Sequence, residues 1–134
     1  GGDVVDPINF GPRWRGWEGA ESGSNLFLIN GQLDHTTPER SVNAMTISGD
    51  AAVIADPDEP SWDPDPFGVW ETPPLPLDIS GNTLALDGTP LTIATVLDAS
   101  EGHFTIFNQE WARALAIEFL ETGTTGTPVL RDND

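Results

Sequence analysis

The chain has 134 residues and a mass of 14.4 kDa, which corresponds to one domain of ordinary size. Hydrophobic residues make up 37% of it, too many for a wholly disordered chain. It contains no cysteine, which excludes a disulfide framework, a thiol nucleophile and a thiolate zinc site. Its apolar runs are much shorter than a membrane-spanning helix, so we expect no transmembrane segment.

Acidic residues dominate the charge. Twenty-two Asp and Glu face five Arg, lysine is absent, and the formal net charge is −17. Such an anionic surface repels phosphate backbones, so direct nucleic-acid binding is not expected. At molar salt the Debye length falls to about 3 Å, and most of the repulsion between carboxylates disappears. The composition indicates adaptation to high salt, or a coding bias in which acids keep a secreted protein soluble.

Residues 1–24 predict an extended N-terminal arm, because they hold six glycines and two prolines and few regularly spaced apolar positions. The first residue is Gly1 and no apolar leader is present, which suggests a processed N-terminus and an extracellular, cell-surface or virion location. Two acids balance two arginines within residues 1–17, so the rest of the chain carries the whole net charge. We predict that the arm contacts a neighbouring subunit; the alternative is an arm folded onto its own domain. The predicted interface residues are Arg13, Trp14, Arg15 and Trp17.

Residues 25–134 predict a single β-rich domain. A short apolar run at 25–29 is followed by Asn-Gly at 30–31, the dipeptide that favours a type I′ hairpin turn. Residues 42–47 and 51–55 flank a Gly-Asp pair and predict a second, weaker hairpin.

A long acidic, proline-rich loop is predicted at 56–76, because closely spaced prolines exclude a central strand or a helix. Its carboxylates are oxygen ligands of the kind that calcium prefers, but the EF-hand spacing is absent and the prolines stiffen the loop, so we favour a solvated surface loop. The candidate calcium ligands are Asp56, Asp58, Glu59, Asp63 and Asp65. Trp62 and Trp70 flank this loop, and we predict that they pack it onto the domain or bind a ligand such as a sugar.

The strongest hairpin signal lies between residues 83–86 and 91–97, which flank an Asp-Gly turn at 87–88. Residues 103–107 alternate like a further strand. A short strand is predicted near 129–130.

The segment near 109–121 fits a helix or an edge strand. Trp111, Leu115 and Phe119 lie four residues apart, and Gly123 provides a stop signal, so we favour a helix. The predicted fold class is therefore mainly β, a sandwich or barrel-like domain of short hairpins with a single C-terminal helix, and α+β is the alternative.

Catalytic motifs are sparse. His35 and His103 are the two histidines, and their spacing matches no common metal-binding motif. A Gly-x-Ser-x-Gly elbow is missing, and a lysine-containing phosphate loop is impossible. We expect His103 to be structural and the chain not to be an enzyme.

The predicted function is that of a structural assembly subunit of an extracellular or virion-like particle or filament, whose partners are copies of itself or other subunits. A secreted module that binds carbohydrate or calcium is the first alternative, and an acidic inhibitor that mimics DNA is the second. Calcium is the one cofactor that the pattern leaves open.

Overall fold

The computed structural model describes residues 7–31, 33–36, 39–55, 78–98 and 100–131. In chain order the elements are a 3₁₀ segment Pro7–Arg15, β1 Leu26–Gly31, α1 Glu39–Ser48, β2 Ala52–Ala55, β3 Asp78–Ser80, β4 Thr83–Leu84, β5 Pro90–Leu91, β6 Ile93–Asp98, α2 Thr105–Asn108, α3 Glu110–Gly123 and β7 Val129–Arg131.

The fold mixes helices and strands, so the prediction of a mainly β sandwich or barrel was wrong. The described strands form one three-stranded sheet and two two-stranded pairs, and none of these closes into a barrel. The predicted alternative, a domain with both α and β elements, agrees with the structure in this coarse sense.

The central sheet is parallel and has the order β1-β6-β2. All six residues of β6 are buried, as expected for the middle strand of a parallel sheet with both faces covered. The chain leaves β1, crosses over through α1, and returns in β2 on the far side of β6. Such a crossover is what parallel pairing requires, because a tight hairpin joins only antiparallel strands.

Helices lie on opposite faces of this sheet. Successive residues of a strand point to opposite faces, and β6 follows this rule. Ala94 and Val96 pack with Leu115 of α3 in one core cluster. On the other face, the Oγ1 atoms of Thr95 and Thr46 of α1 lie 2.8 Å apart in a buried hydrogen bond. The result is a three-layer arrangement of helix, sheet and helix.

The hairpin predicted at residues 30–31 was wrong. Asn30 and Gly31 complete β1 and lie opposite Leu97 and Asp98 of β6 in parallel register. The backbone of the loop after β6 approaches Gly31 closely, which gives a different reason for a glycine at this position.

The strands predicted at 42–47 and 103–107 were also wrong. The first segment lies within α1, where the buried residues Val42 and Thr46 are one helical turn apart. The second contains a turn followed by α2, so its apparent alternation does not correspond to two sheet faces. Short β-branched and aromatic runs fit both periods, and tertiary packing decides between them.

Other predicted elements are confirmed. The favoured helix is α3, which ends at Gly123, and β4 pairs antiparallel with β5 around the Asp-Gly turn at 87–88. A strand at 129–131 is present as β7, paired with β3. Within the ranges that the structure describes, no helix is long and apolar enough to cross a bilayer.

Lowering the salt from molar to about 10 mM is expected to reduce the melting temperature, because the Debye length grows to about 30 Å and the carboxylates repel one another. The net charge of −17 provides that repulsion. Calorimetric melting at the two salt concentrations measures it. An unchanged melting temperature would rule out salt adaptation as the explanation of the composition.

Candidate functional site: an acid–histidine pair

The candidate site lies at the carboxyl edge of the parallel sheet, between the neighbouring strands β1 and β6. The chain after β1 leads to α1 on one face, and the chain after β6 leads to α2 and α3 on the other. The two loops therefore begin at the same edge of the sheet and continue to opposite faces of it. In open α/β sheets, ligands bind outside the carboxyl ends of the strands at such a point.

Asp34, in the loop after β1, and His103, in the loop after β6, meet at this edge. The distance between Asp34 Oδ2 and His103 Nδ1 is 2.8 Å. The Asp34 side chain is 8% exposed, whereas the His103 side chain is 52% exposed. The acid is thus shielded from solvent, whereas the histidine ring remains accessible.

The pair defines the tautomer of the histidine. An ionised carboxylate can only accept hydrogen bonds, so Nδ1–H of His103 donates to Asp34. In the neutral ring the proton is then on Nδ1, and Nε2 carries a lone pair on the opposite edge. Among the described residues, none hydrogen-bonds to Nε2 of His103. This nitrogen is available as a base.

Asp34 is held in place by its own loop. Its Oδ1 accepts the backbone N–H of Thr36 at 2.6 Å, and its backbone N–H donates to the carbonyl of Gly31 at 3.1 Å. One carboxylate oxygen therefore orients the group, while the other accepts the hydrogen bond from Nδ1–H of His103.

The two loops interlock through glycines. A Cβ atom on Gly31 would lie 2.6 Å from the carbonyl oxygen of Glu101 and 2.5 Å from Oγ1 of Thr105, and it would also collide with the carbonyl oxygen of Gly102. The backbone N–H of Leu33 donates to the carbonyl of Glu101 at 3.0 Å. Close backbone contact thus sets the separation of the loops that carry the acid and the histidine.

An apolar side chain packs against the histidine. Phe104 packs edge-on against His103, with ring centroids 5.2 Å apart, and its own centroid is 6.2 Å from that of Phe107. Phe104, Phe107 and Leu33 are each more than half exposed. The exposed imidazole therefore lies beside an apolar surface.

The predicted interface segment lies against its own domain. The Trp14 ring contacts Gly49 and packs on the cluster of Ala85, Leu91 and Ile93. Arg15 Nε donates to the carbonyl of Leu84 at 2.8 Å. Trp17, by contrast, is 53% exposed, and Arg13 is also exposed. These positions do not test a contact with another subunit, which stays a prediction.

The acidic loop at 56–76 lies outside the described residues, and so do Trp62, Trp70 and the candidate calcium ligands Asp56, Asp58, Glu59, Asp63 and Asp65. In the part of the chain that the structure does describe, no group of three or more His, Asp or Glu side chains is arranged to hold a metal ion.

Sequence reasoning missed the acid–histidine pair. Linear motif searches compare residues that are close in the sequence, whereas Asp34 and His103 are 69 residues apart. The available signal is positional: each residue follows an apolar strand by a few residues. Had those strands been predicted as parallel neighbours, their carboxyl ends would have placed both side chains at one edge.

No protein-family model, curated protein or solved structure matches this chain.

Proposed function

We propose that Asp34 and His103 are the acid and the general base of a hydrolase that cleaves esters or related acyl compounds by nucleophilic attack. The observation that carries this proposal is the 2.8 Å hydrogen bond between Asp34 and the ring of His103 at the carboxyl edge of a parallel sheet. The proposal departs from the expectation that the chain is not an enzyme, which rested on linear motifs.

The chemistry follows from the tautomer. Nε2 of His103 removes a proton from an attacking hydroxyl group, and the imidazolium that forms is stabilised by the shielded carboxylate of Asp34. The same proton is then delivered to the leaving group. The hydroxyls closest in the chain are already engaged: Ser100 donates to Asp98, and Thr105 donates to the carbonyl of Gly102. The attacking hydroxyl is therefore that of a water molecule or of a side chain other than these two.

The order of the residues supports the same class. In α/β-hydrolases the acid precedes the histidine in the chain, each on a loop at the carboxyl side of the sheet. Asp34 and His103 follow this order, on loops after adjacent parallel strands. This is an analogy of arrangement, and it supports the reaction class rather than a particular substrate.

The test is hydrolysis of p-nitrophenyl esters by the full-length gene product. His103→Ala is expected to lower kcat/KM by about 1,000-fold or more, and Asp34→Asn by a similar factor, because the asparagine favours the wrong tautomer. The matched control is His35→Ala, which removes the other histidine, one residue from Asp34 and exposed. It is expected to leave the rate within about twofold, as a surface substitution should.

Two results would contradict the proposal. One is a gene product with no hydrolytic activity on any acyl ester. The other is activity that His103→Ala and His35→Ala reduce equally, since a specific base at residue 103 predicts unequal effects.

Assembly remains a second proposed role. Leu84 and Leu86 are exposed, and the backbone of Arg15 is hydrogen-bonded to the backbone of Leu86. Leu84, Leu86 and Trp17 thus expose apolar surface at the predicted interface segment, residues 13–17. Light scattering on a sizing column at molar and at low salt tests the assembly role: a mass several times 14.4 kDa supports assembly, and a monomer at both salts contradicts self-assembly.

Carbohydrate or calcium binding, DNA mimicry and the extracellular location stay predictions.

A further inference from the structure

Asp98 is a buried acidic residue that the acid–histidine pair does not use. It ends β6 and is 5% exposed. Its Oδ1 accepts both the backbone N–H of Ser100, at 2.9 Å, and the Ser100 hydroxyl, at 2.7 Å. Its Oδ2 is buried without a partner in the residues that the structure describes. Burying a carboxylate with an unpartnered oxygen is costly, so the presence of an acid at this position requires an explanation.

Ser100 continues the connection towards α3. Its Oγ accepts Nε2–H of Gln109, the residue before α3, at 3.2 Å. The neighbouring Glu101 accepts Nδ2–H of Asn108 at 3.2 Å through its side chain. The loop between β6 and His103 is therefore hydrogen-bonded to Asp98 at the end of β6 and to Asn108 and Gln109, the two residues before α3.

The same loop carries the geometry of the pair. His103 follows Gly102 directly, and the carbonyl of Gly102 accepts the hydroxyl of the buried Thr105 at 3.0 Å. The carbonyl of Glu101 contacts the loop of Asp34 through Leu33 N–H. A change in the path of this loop after Asp98 would move the imidazole relative to the carboxylate of Asp34.

We propose that Asp98 is a positioning residue for His103. Its doubly accepting oxygen directs the loop through Ser100 so that the ring of His103 meets Asp34. The catalytic consequence rests on the proposed function, whereas the positional consequence does not. A carboxylate suits this position because hydrogen bonds to an ionised acceptor are stronger than those to a neutral one.

The chain offers a matched control. Asp87 makes the same type of local turn, in which its Oδ1 accepts the N–H of Thr89 at 2.9 Å. That hydrogen bond holds the pKa of Asp87 below its ordinary value. This turn belongs to the β4–β5 hairpin, which packs with Ile93 at the beginning of β6. The acid–histidine pair lies beyond the opposite end of β6. Asp87→Ala therefore removes an equivalent turn without touching the loop of His103.

The experiment measures the His103 ring directly. In ¹H–¹⁵N spectra of the full-length gene product, a ring proton on Nδ1 bonded to a carboxylate gives a strongly downfield signal that His103→Ala removes. Asp98→Ala is expected to abolish or broaden this signal, Asp98→Asn to retain it in part, and Asp87→Ala to leave it unchanged. In the ester assay, Asp98→Ala is expected to lower kcat by about 10- to 100-fold with KM nearly constant, since small misplacements of a catalytic group have effects of this size.

The outcomes separate the two proposals. An unchanged signal and rate in Asp98→Ala overturn the positioning role even when His103→Ala confirms the base. If the protein hydrolyses no ester but the signal still depends on Asp98, the proposed function fails and the positioning role stands. If Asp98→Ala does not fold, Ser100→Ala replaces it, because it removes the hydroxyl link to Asp98 and Gln109 and keeps the backbone bond. An unaffected signal in Ser100→Ala would then overturn the positioning role.

Discussion

Replacing Gly31 with alanine is expected to separate Asp34 from His103 and to destabilise the domain by about 1–3 kcal/mol, the usual range for overpacking. The added methyl group would overlap the carbonyl oxygens of Glu101 and Gly102. Those atoms belong to the backbone, so the strain cannot be relieved by rotating a side chain. The loop that carries His103 has to move instead, and the 2.8 Å contact with Asp34 is lost as a result.

Urea unfolding and the downfield ring proton of His103 measure the two consequences of Gly31→Ala. The matched control is Gly126→Ala, because a Cβ atom there meets nothing within 4 Å and the backbone is not in the left-handed region. The control is expected to change stability by less than about 1 kcal/mol and to keep the signal. A Gly31→Ala protein as stable as the control, with the signal intact, would show that the loops are not held by this contact.

Trp14→Ala is expected to destabilise the domain by about 3 kcal/mol, the lower end of the range for removing a large aromatic side chain from a core. The ring is half-buried between Gly49 and the cluster of Leu91 and Ile93, so its loss leaves a cavity at the junction of the 3₁₀ segment and α1. Denaturant unfolding followed by far-UV circular dichroism gives the free energy directly.

Trp17→Ala provides the comparison for Trp14→Ala. Trp17 is more than half exposed, so its removal is expected to change stability by less than about 1 kcal/mol. Equal effects of the two substitutions would contradict the packing assigned to Trp14. Because Trp17→Ala is expected to leave the fold intact, it is also the cleaner substitution for testing the predicted subunit contact by light scattering.

Local signals in the sequence predicted some elements well. The helix α3 followed from apolar residues four apart and a terminal glycine, and the β4–β5 hairpin followed from an Asp-Gly pair between apolar runs. Both depend on interactions between residues close in the chain, which is why a single sequence is enough to identify them.

The parallel sheet could not be identified in the same way. β1 and β6 pair across a long stretch of sequence, and the choice between parallel and antiparallel neighbours depends on where α1 packs. The Asn-Gly pair at 30–31 fitted a hairpin turn equally well on local grounds. The acid–histidine pair was missed for the same reason, since its geometry exists only after these two strands have paired.

The pairing of β1 with β6 also determines when the site forms during folding. Leu26 of β1 lies opposite Ile93 of β6, and contacts between residues so distant in sequence form slowly because the intervening chain must first be closed into a loop. Until these two strands pair, the imidazole of His103 lacks its carboxylate partner. The proposed activity would therefore arise only in molecules whose central sheet has already formed.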